Sequence, residues 1–450
     1  MTTRPSLFGT DGIRGVMGTS PLTKSDLIAL GLAIAEWAAR YCIQHNNTHF
    51  LIGTDTRSSS SFIVSHLTQG LAQSSLPVCT VGVISTPALF WLTAQRPGTI
   101  GIMITASHNP AHFNGIKIMT HAQGKLSALD ESYISQMFLK YKKQVSPFSL
   151  SNNSSYQNTQ LVQKYLNYLL SRFSHLNLSP YTIVLDCAHG ATSHLAPALF
   201  KDLGANIIPL HITPTGTNIN EHSGTECTTL LQKAVIQHKA DIGFAFDGDG
   251  DRLVVINNQG ERKDGDALLA FLTNNPHYTH LPSIVGTIMS NSALDLFLAT
   301  KKIRLLRTFV SDKHVLSTLK KHHLLLGGEP SGHLILRNYH DTTDGLLTSL
   351  VVLETLRLTS HWSLNSFTPY PTTLIAVPLS HVSKKVNPAT FDMHCQTIIT
   401  KFSSQVTPGR ILIRRSGTEP IIRVLVEGTD LQLTNLVAQR IVAQLTQLKL

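Results

Sequence analysis

Ile242-Gly243-Phe244-Ala245-Phe246 runs without a polar side chain into Asp247-Gly248-Asp249-Gly250-Asp251-Arg252, and Leu253-Val254-Val255-Ile256 follows at once. A short, unbroken apolar run bounded by turn residues reads as a strand buried on both faces. Two such strands flanking the acidic segment put Asp247, Asp249 and Asp251 on a loop at strand ends. Strands buried on both faces belong to layered folds in which helices cover the sheet.

On a regular strand these alternate side chains would point one way but stand roughly 6.6 Å apart, at a rise of about 3.3 Å per residue, too far to share one ion. Gly248 and Gly250 let the backbone curl and gather the carboxylates. Two like charges about 4 Å apart repel by about 4 kcal/mol at an effective dielectric near 20, and a bound divalent cation reverses that sign. Oxygen-only ligands favour magnesium, calcium or manganese over zinc. A calcium hand starting at Asp247 is excluded, because Arg252 and Asn258 stand where it needs Gly and Glu. Arg252 adds a partner for a phosphate beside the ion.

Apolar strand-like runs alternate with longer helical patterns along the chain, the mark of α/β layers. The clearest runs are Phe50 to Gly53, Ile100 to Ile104, Thr182 to Leu185, Ile242 to Phe246 and Ile284 to Ile288. A Ser- and Asn-rich linker at Ser146 to Ser155, a turn at Asn257 to Gly260 and the prolines of Thr368-Pro369-Tyr370-Pro371 divide the chain into 1–150, 151–257, 258–368 and 369–450. The last segment ends in an amphipathic helix with Leu433, Val437, Ile441, Leu445 and Leu448 on one stripe. With 450 residues and 42% hydrophobic content, the chain can bury several cores.

No stretch approaches the 18 or more apolar residues of a membrane helix, and Met1-Thr2-Thr3-Arg4-Pro5 lacks the apolar core of a secretion signal. The expectation is a cytoplasmic protein with no membrane partner. Five cysteines, scattered and without a Cys-x-x-Cys, indicate reduced, mostly buried thiols. A net charge of +10 invites a nucleic-acid reading, but the basic residues are dispersed and Lys140-Tyr141-Lys142-Lys143 is their densest cluster. A small anionic substrate fits better, because a mild positive field raises encounter rates with phosphates.

Three further loops carry chemistry. Thr105-Ala106-Ser107-His108-Asn109-Pro110 presents Ser107 at the carboxyl end of a strand, where α/β proteins build sites. No Gly-x-Ser-x-Gly elbow supports acyl transfer. A phosphorylated serine instead would bring about −1.5 to −2 charge and oxygens able to complete a metal shell, and Lys117 follows closely. Arg414-Arg415-Ser416-Gly417-Thr418-Glu419-Pro420 with Arg423 supplies guanidinium forks, hydroxyls and glycine-exposed N–H groups suited to a phosphate dianion. Gly327-Gly328-Glu329-Pro330-Ser331-Gly332-His333 sets Glu329 and Ser331 two residues apart, where each can bond a sugar hydroxyl.

These loops in this order resemble the α-D-phosphohexomutase family, over Phe8 to Glu427. Phe8-Gly9-Thr10-Asp11-Gly12-Ile13-Arg14-Gly15, Cys187-Ala188-His189-Gly190-Ala191-Thr192 and Leu203-Gly204-Ala205 resemble the bacterial branch that acts on glucosamine phosphate. The resemblance implies four domains around a cleft, three related α/β domains with mixed sheets and a smaller C-terminal domain of antiparallel sheet and helices. It implies conversion of glucosamine 6-phosphate to glucosamine 1-phosphate, feeding UDP-N-acetylglucosamine and the cell envelope, through a glucosamine 1,6-bisphosphate that turns around between two transfers. Ser107 would be the phosphoserine, and one Mg²⁺ per chain would bind Asp247, Asp249, Asp251 and the phosphoserine oxygen. Glucosamine or glucose 1,6-bisphosphate would serve as activator.

By the same resemblance Arg14, Lys117 and Arg252 surround the transferring group, and His108 and His333 give polar support or proton transfer. Arg414, Ser416, Gly417, Thr418 and Arg423 clamp a phosphate, while Glu329 and Ser331 read hydroxyls in both orientations. The general base stays open between Lys117 and Glu329, and the assembly between monomer and homodimer. Several positions depart from the family pattern: Ala111-His112-Phe113 for Tyr-x-Asp, Ser311 for Gly, Pro330 for Gln or Met, and Thr343 for Gly. Pro330 bears on the sugar, so a phosphomannomutase/phosphoglucomutase is the alternative, with a non-catalytic phosphosugar-binding protein behind it.

Overall fold

The computed structural model describes residues 7–42, 48–121, 124–144, 156–359, 364–381, 388–415 and 421–447. The linker expected at Ser146 to Ser155 lies outside them. Two compact units make up the chain, Met1–Ile288 with Arg307–Leu364, and Met289–Leu306 with Asn365–Leu450.

The first unit holds mixed sheets built on one plan. In the N-terminal sheet the strands His49–Thr54, Val78–Val83 and Thr99–Ile104 run parallel, and Phe113–Thr120 returns antiparallel beside Thr99–Ile104. Helices Lys24–Cys42, Ser60–Leu71 and Ala128–Lys142 seal one apolar core with it, through Ile34, Leu67, Ile102, Ile134 and Phe138. In the next sheet Thr182–Asp186 lies parallel to both Asn206–Leu210 and Ile242–Phe246, and Leu253–Asn257 returns antiparallel. Ser283–Thr287 and Leu326–Gly328 are parallel in the third, with Leu334–Leu336 returning.

Each sheet thus turns from a parallel strand into an antiparallel partner at one hairpin. Those hairpins are Thr105 to His112, Asp247 to Arg252, and Glu329 to His333. The repetition hidden in the sequence is topological, and it delivers Ser107, the three aspartates and the Glu329 to His333 loop from equivalent places.

The apolar runs form strands within a residue or two of where the sequence puts them, and every residue of Ile242–Phe246 is buried. The turn at Asn257 to Gly260 is no break in this sheet, because Arg262–Lys263 pairs back onto Leu253–Asn257. We therefore propose that the second domain runs to about Lys263.

The second unit contains an antiparallel sheet of Thr372–Pro378, Ile421–Glu427 and Ile411–Arg415, packed by helices Pro388–Val406 and Leu431–Gln447. Val437, Ile441 and Leu445 of the expected stripe are buried. Leu433 is not: it is 37% exposed, and Thr434 turns inward instead. Leu448 lies outside the described residues. Cys79, Cys187, Cys227 and Cys395 are free thiols, and among the described residues no helix is long and apolar enough to cross a membrane.

Candidate active site

Ser107 and Asp247 meet across two domains. Ser107 Oγ donates to Asp247 Oδ2 at 2.6 Å, and both residues are buried. Ser107 has φ of 51°, a left-handed conformation that costs a non-glycine residue about 1–2 kcal/mol. Its surroundings impose it: the Ser107 N–H donates to Thr105 Oγ1, which donates to the buried Asp55. Arg57, fully enclosed and paired with Asp55, reaches the same turn from beneath.

Gly250 supplies the positive φ (73°) that curls the acidic loop. Gly248 lets it approach: a Cβ there would stand 2.6 Å from the Ser107 carbonyl. Asp247, Asp249 and Asp251 consequently bring one oxygen each within 4.8 Å of one another, all at 2% exposure or less. Burial, then Asp251 and Asp249, pushes the Asp247 carboxyl up to about 8. Asp249 Oδ2 accepts from Thr86 at 2.6 Å, while its Oδ1 is buried without a hydrogen-bond partner. Gathered carboxylates, an unengaged buried oxygen and the Ser107 hydroxyl make a donor set that fits a hard divalent cation.

Lys117 projects from Phe113–Thr120 into this cluster. Its Nζ lies 2.8 Å from Asp249 Oδ2, 2.9 Å from Asp251 Oδ2 and 2.9 Å from Asp11 Oδ2. Burial alone would lower its pKa, but Asp11, Asp249 and Asp251 outweigh that and hold it well above the usual lysine value. Asp11 also binds Arg14 and Lys125 at 2.7 Å each, and Lys125 continues to Asp312 at 2.5 Å. Arg14 additionally approaches Asn109 Oδ1.

The third hairpin closes the site from the other side. His333 Nε2 stands 3.0 Å from Asp251 Oδ1, and its Nδ1 2.9 Å from Glu329 Oε2. Burial opposes the charge, yet Asp251 carries the ring up to about 10, so it donates from both nitrogens. Arg252 Nε, 3.1 Å from His333 Nε2, is then a neighbouring cation rather than a donor to it; its Nη1 pairs with Glu226. His108 goes the other way: burial, Arg252 and Arg14 push it down to about 3, leaving a neutral ring whose Nδ1 is 3.5 Å from Ser107 Oγ. Glu329 Oε1 accepts the Ser311 N–H at 3.0 Å, so both its oxygens are engaged, and Ser331 is half-buried.

In the second unit Arg414 faces Arg423 directly across the antiparallel pair. Burial and then Arg423 lower the pKa of Arg414, whose Nε is buried without a hydrogen-bond partner. Like charges directly opposite destabilise a sheet, and an anion between the guanidinium groups would relieve them. Ser416, Gly417 and Thr418 lie outside the described residues.

Sequence models of the four phosphoglucomutase/phosphomannomutase domains match in order, the three α/β/α domains at residues 5–145, 163–260 and 264–368 and the C-terminal domain at 406–444. The chain belongs to this family. Phosphoglucosamine mutases of Histophilus somni (strain 2336) and Lawsonia intracellularis are each 37% identical to it, over 442 and 445 residues that cover 96% and 97% of this chain and 97% of each relative. As a phosphohexomutase it is an isomerase, an intramolecular phosphotransferase. The fold agrees. A Burkholderia thailandensis member of the phosphoglucomutase/phosphomannomutase family superposes with a TM-score of 0.77 at 22% identity, covering 99% of this chain and 98% of that one. Aspergillus fumigatus N-acetylphosphoglucosamine mutase, in complex with GlcNAc-6P and magnesium, gives 0.67 at 17%, covering 97% and 94%.

Within this phosphohexomutase fold, Ser107, Asp247, Asp249, Asp251, Lys117, Arg14, Arg252, His108, Glu329 and His333 come together. Asp11, Asp55, Arg57, Thr86 and Asn220 join them without having been singled out from the sequence. For Asp55 and Arg57 a signal existed, since Asp55-Thr56-Arg57 directly follows a buried strand.

Proposed function

We propose that this chain interconverts glucosamine 6-phosphate and glucosamine 1-phosphate by way of a phosphorylated Ser107. The observation that carries the reading is the 2.6 Å contact between Ser107 Oγ and Asp247 within a cluster of carboxylates. Phosphoryl transfer asks little covalent work of a protein beyond the nucleophile; position and charge neutralisation supply most of the rate. In the forward half, the bond from phosphorus to Ser107 Oγ breaks as one forms to a sugar hydroxyl. The hydroxyl proton leaves to a base, and a glucosamine 1,6-bisphosphate results. After it turns around, its other phosphoryl group returns to Ser107, and the oxygen left on the sugar takes a proton.

Mg²⁺ held by Asp247, Asp249 and Asp251 would supply positive charge at the serine oxygen. Arg14, Arg252 and Lys117 are assigned to the equatorial oxygens of the moving group. Lys117, held protonated by three carboxylates, serves as a cation, which favours Glu329 over it as the base. His333, protonated between Asp251 and Glu329, orients that carboxylate, and neutral His108 gives polar support beside Ser107. Arg414 and Arg423, with Ser416, Gly417 and Thr418, are assigned the phosphate that does not react, and Glu329 and Ser331 the sugar hydroxyls. The activator would be glucosamine or glucose 1,6-bisphosphate, and the cytoplasm, where phosphosugars are handled, is the proposed location.

Pro330, inside the sugar loop, favours one second reading, in which mannose or glucose phosphate is turned over as well. Purified protein primed with a hexose 1,6-bisphosphate is assayed on glucosamine, mannose and glucose 6-phosphates. The proposal expects the amino sugar to give the highest kcat/KM. A large preference for either neutral sugar would overturn it.

A further inference from the structure

All five N–H groups of the Arg57 guanidinium are used, and four of them serve the serine loop. Nε donates to Asp55 Oδ2 at 2.9 Å. Nη1 donates to the carbonyls of Pro110 (2.5 Å) and Phe113 (2.9 Å), and Nη2 to those of Ser107 (3.0 Å) and Asn109 (2.7 Å). From the second domain, Asn220 Nδ2 donates to the same Ser107 and Asn109 carbonyls, at 2.8 and 3.0 Å. Each of these oxygens therefore accepts from both residues, filling both lone pairs.

We propose that Arg57 and Asn220 are positioning residues that hold Ser107 in its left-handed turn with Oγ aimed at the carboxylate cluster. The proposal rests on the reading of Ser107 as the phosphoryl carrier. Ser107 would relax out of φ 51° if its carbonyl were free to turn, and that rotation swings Oγ away from Asp247. Asn220 also meets the metal loop, since a Cβ on Gly248 would lie 2.8 Å from Asn220 Nδ2 and 2.6 Å from the Ser107 carbonyl. One amide thus gauges the spacing between the serine turn and the acids, from a domain that contains the acids. Arg57 does so from the domain that contains the serine. Neither side chain need touch substrate, since displacing a reacting group by about 1 Å can cost a hundredfold in rate.

A scaffold role alone would lower stability and leave turnover per folded molecule intact, so the test reads turnover and serine loading. Asn220→Gly removes both donors while keeping a residue that accepts φ of 61° without strain. Arg57→Lys keeps a cation beside Asp55 but cannot reach four carbonyls. Each soluble variant is mixed with glucose 1,6-bisphosphate, and Ser107 phosphorylation is followed by quenched-flow intact mass alongside kcat and KM. The expected result for Asn220→Gly is loading and kcat slowed together by about tenfold to a hundredfold with KM within about twofold, and a larger loss for Arg57→Lys. Wild-type loading and kcat in Asn220→Gly, whatever its melting temperature, would overturn the positioning role alone. A wild-type protein that takes up no phosphoryl group at Ser107 would overturn the carrier reading as well.

Discussion

Ser107 Oγ and Asp247 Oδ2 lie 2.6 Å apart although 140 residues of chain separate them. Two domains must dock for that contact to exist, and a hydroxyl donating to a buried carboxylate is poised where a cation can join them. Replacing the hydroxyl separates chemistry from folding. Ser107→Ala loses one hydrogen bond to the buried Asp247 carboxyl, a cost of about 0.5–1.5 kcal/mol, yet should abolish transfer. Intact mass should show one added phosphoryl group on a fraction of wild-type molecules and none on the variant. Normal turnover by Ser107→Ala would end the covalent mechanism.

Lys117 stands where a divalent ion would feel it most. Its ammonium touches Asp11, Asp249 and Asp251, and removing it as Lys117→Met leaves buried carboxylates uncompensated, a change of about 3–5 kcal/mol in destabilisation. The variant should melt lower in chelator. With magnesium it should regain more stability than the wild type does, because binding favours the folded state. Calorimetry should give tighter magnesium binding, by about tenfold, alongside reduced turnover. Equal magnesium affinity in both proteins would show that the ion site lies away from this lysine.

Arg423→Ala tests the arginine pair. Opposed guanidinium groups across a sheet cost about 0.2–1 kcal/mol, so the free protein should lose little stability. Substrate contacts are another matter, since a hydrogen bond to a phosphate is worth about 1.5–3 kcal/mol. KM should therefore rise by roughly tenfold to a hundredfold with a smaller effect on kcat. An unchanged KM would remove Arg423 from the phosphate clamp.

Ser311 occupies a glycine-type conformation, φ 152° and ψ 139°, at the start of helix Asp312–Lys321. Its hydroxyl accepts the Lys313 N–H, and exchanging such a cap for glycine costs only a few tenths of a kcal/mol. Relief of backbone strain, about 1–3 kcal/mol, exceeds that loss. Ser311→Gly should raise the urea midpoint, corresponding to about 1 kcal/mol, at unchanged slope. A lower midpoint would show that the cap outweighs the strain.

Strand positions were legible because an unbroken apolar run such as Ile242 to Phe246 has one stable environment, and the aspartates because three carboxylates spaced by glycines have few uses. Ser311 was visible as a departure from family pattern, and its backbone angles say why glycine is usual there. The hold of Arg57 and Asn220 on the serine turn is not marked in the sequence, because they bind carbonyl oxygens, which every residue carries; only the place of Asp55-Thr56-Arg57 after a buried strand points to Arg57. Glu329 reads differently in space, since its oxygens already serve Ser311 and His333. Leu433 misled because a helical stripe fixes a direction but not how far the facing sheet extends.

The parallel-to-antiparallel hairpin recurs in three sheets, and each copy contributes a different instrument: a buried serine hydroxyl, a set of acids, a carboxylate with its imidazole. None of these performs anything alone. Activity is therefore a property of alignment between layers, and a perturbation that tilts one sheet against the next, while leaving every strand intact, should silence the enzyme long before it melts.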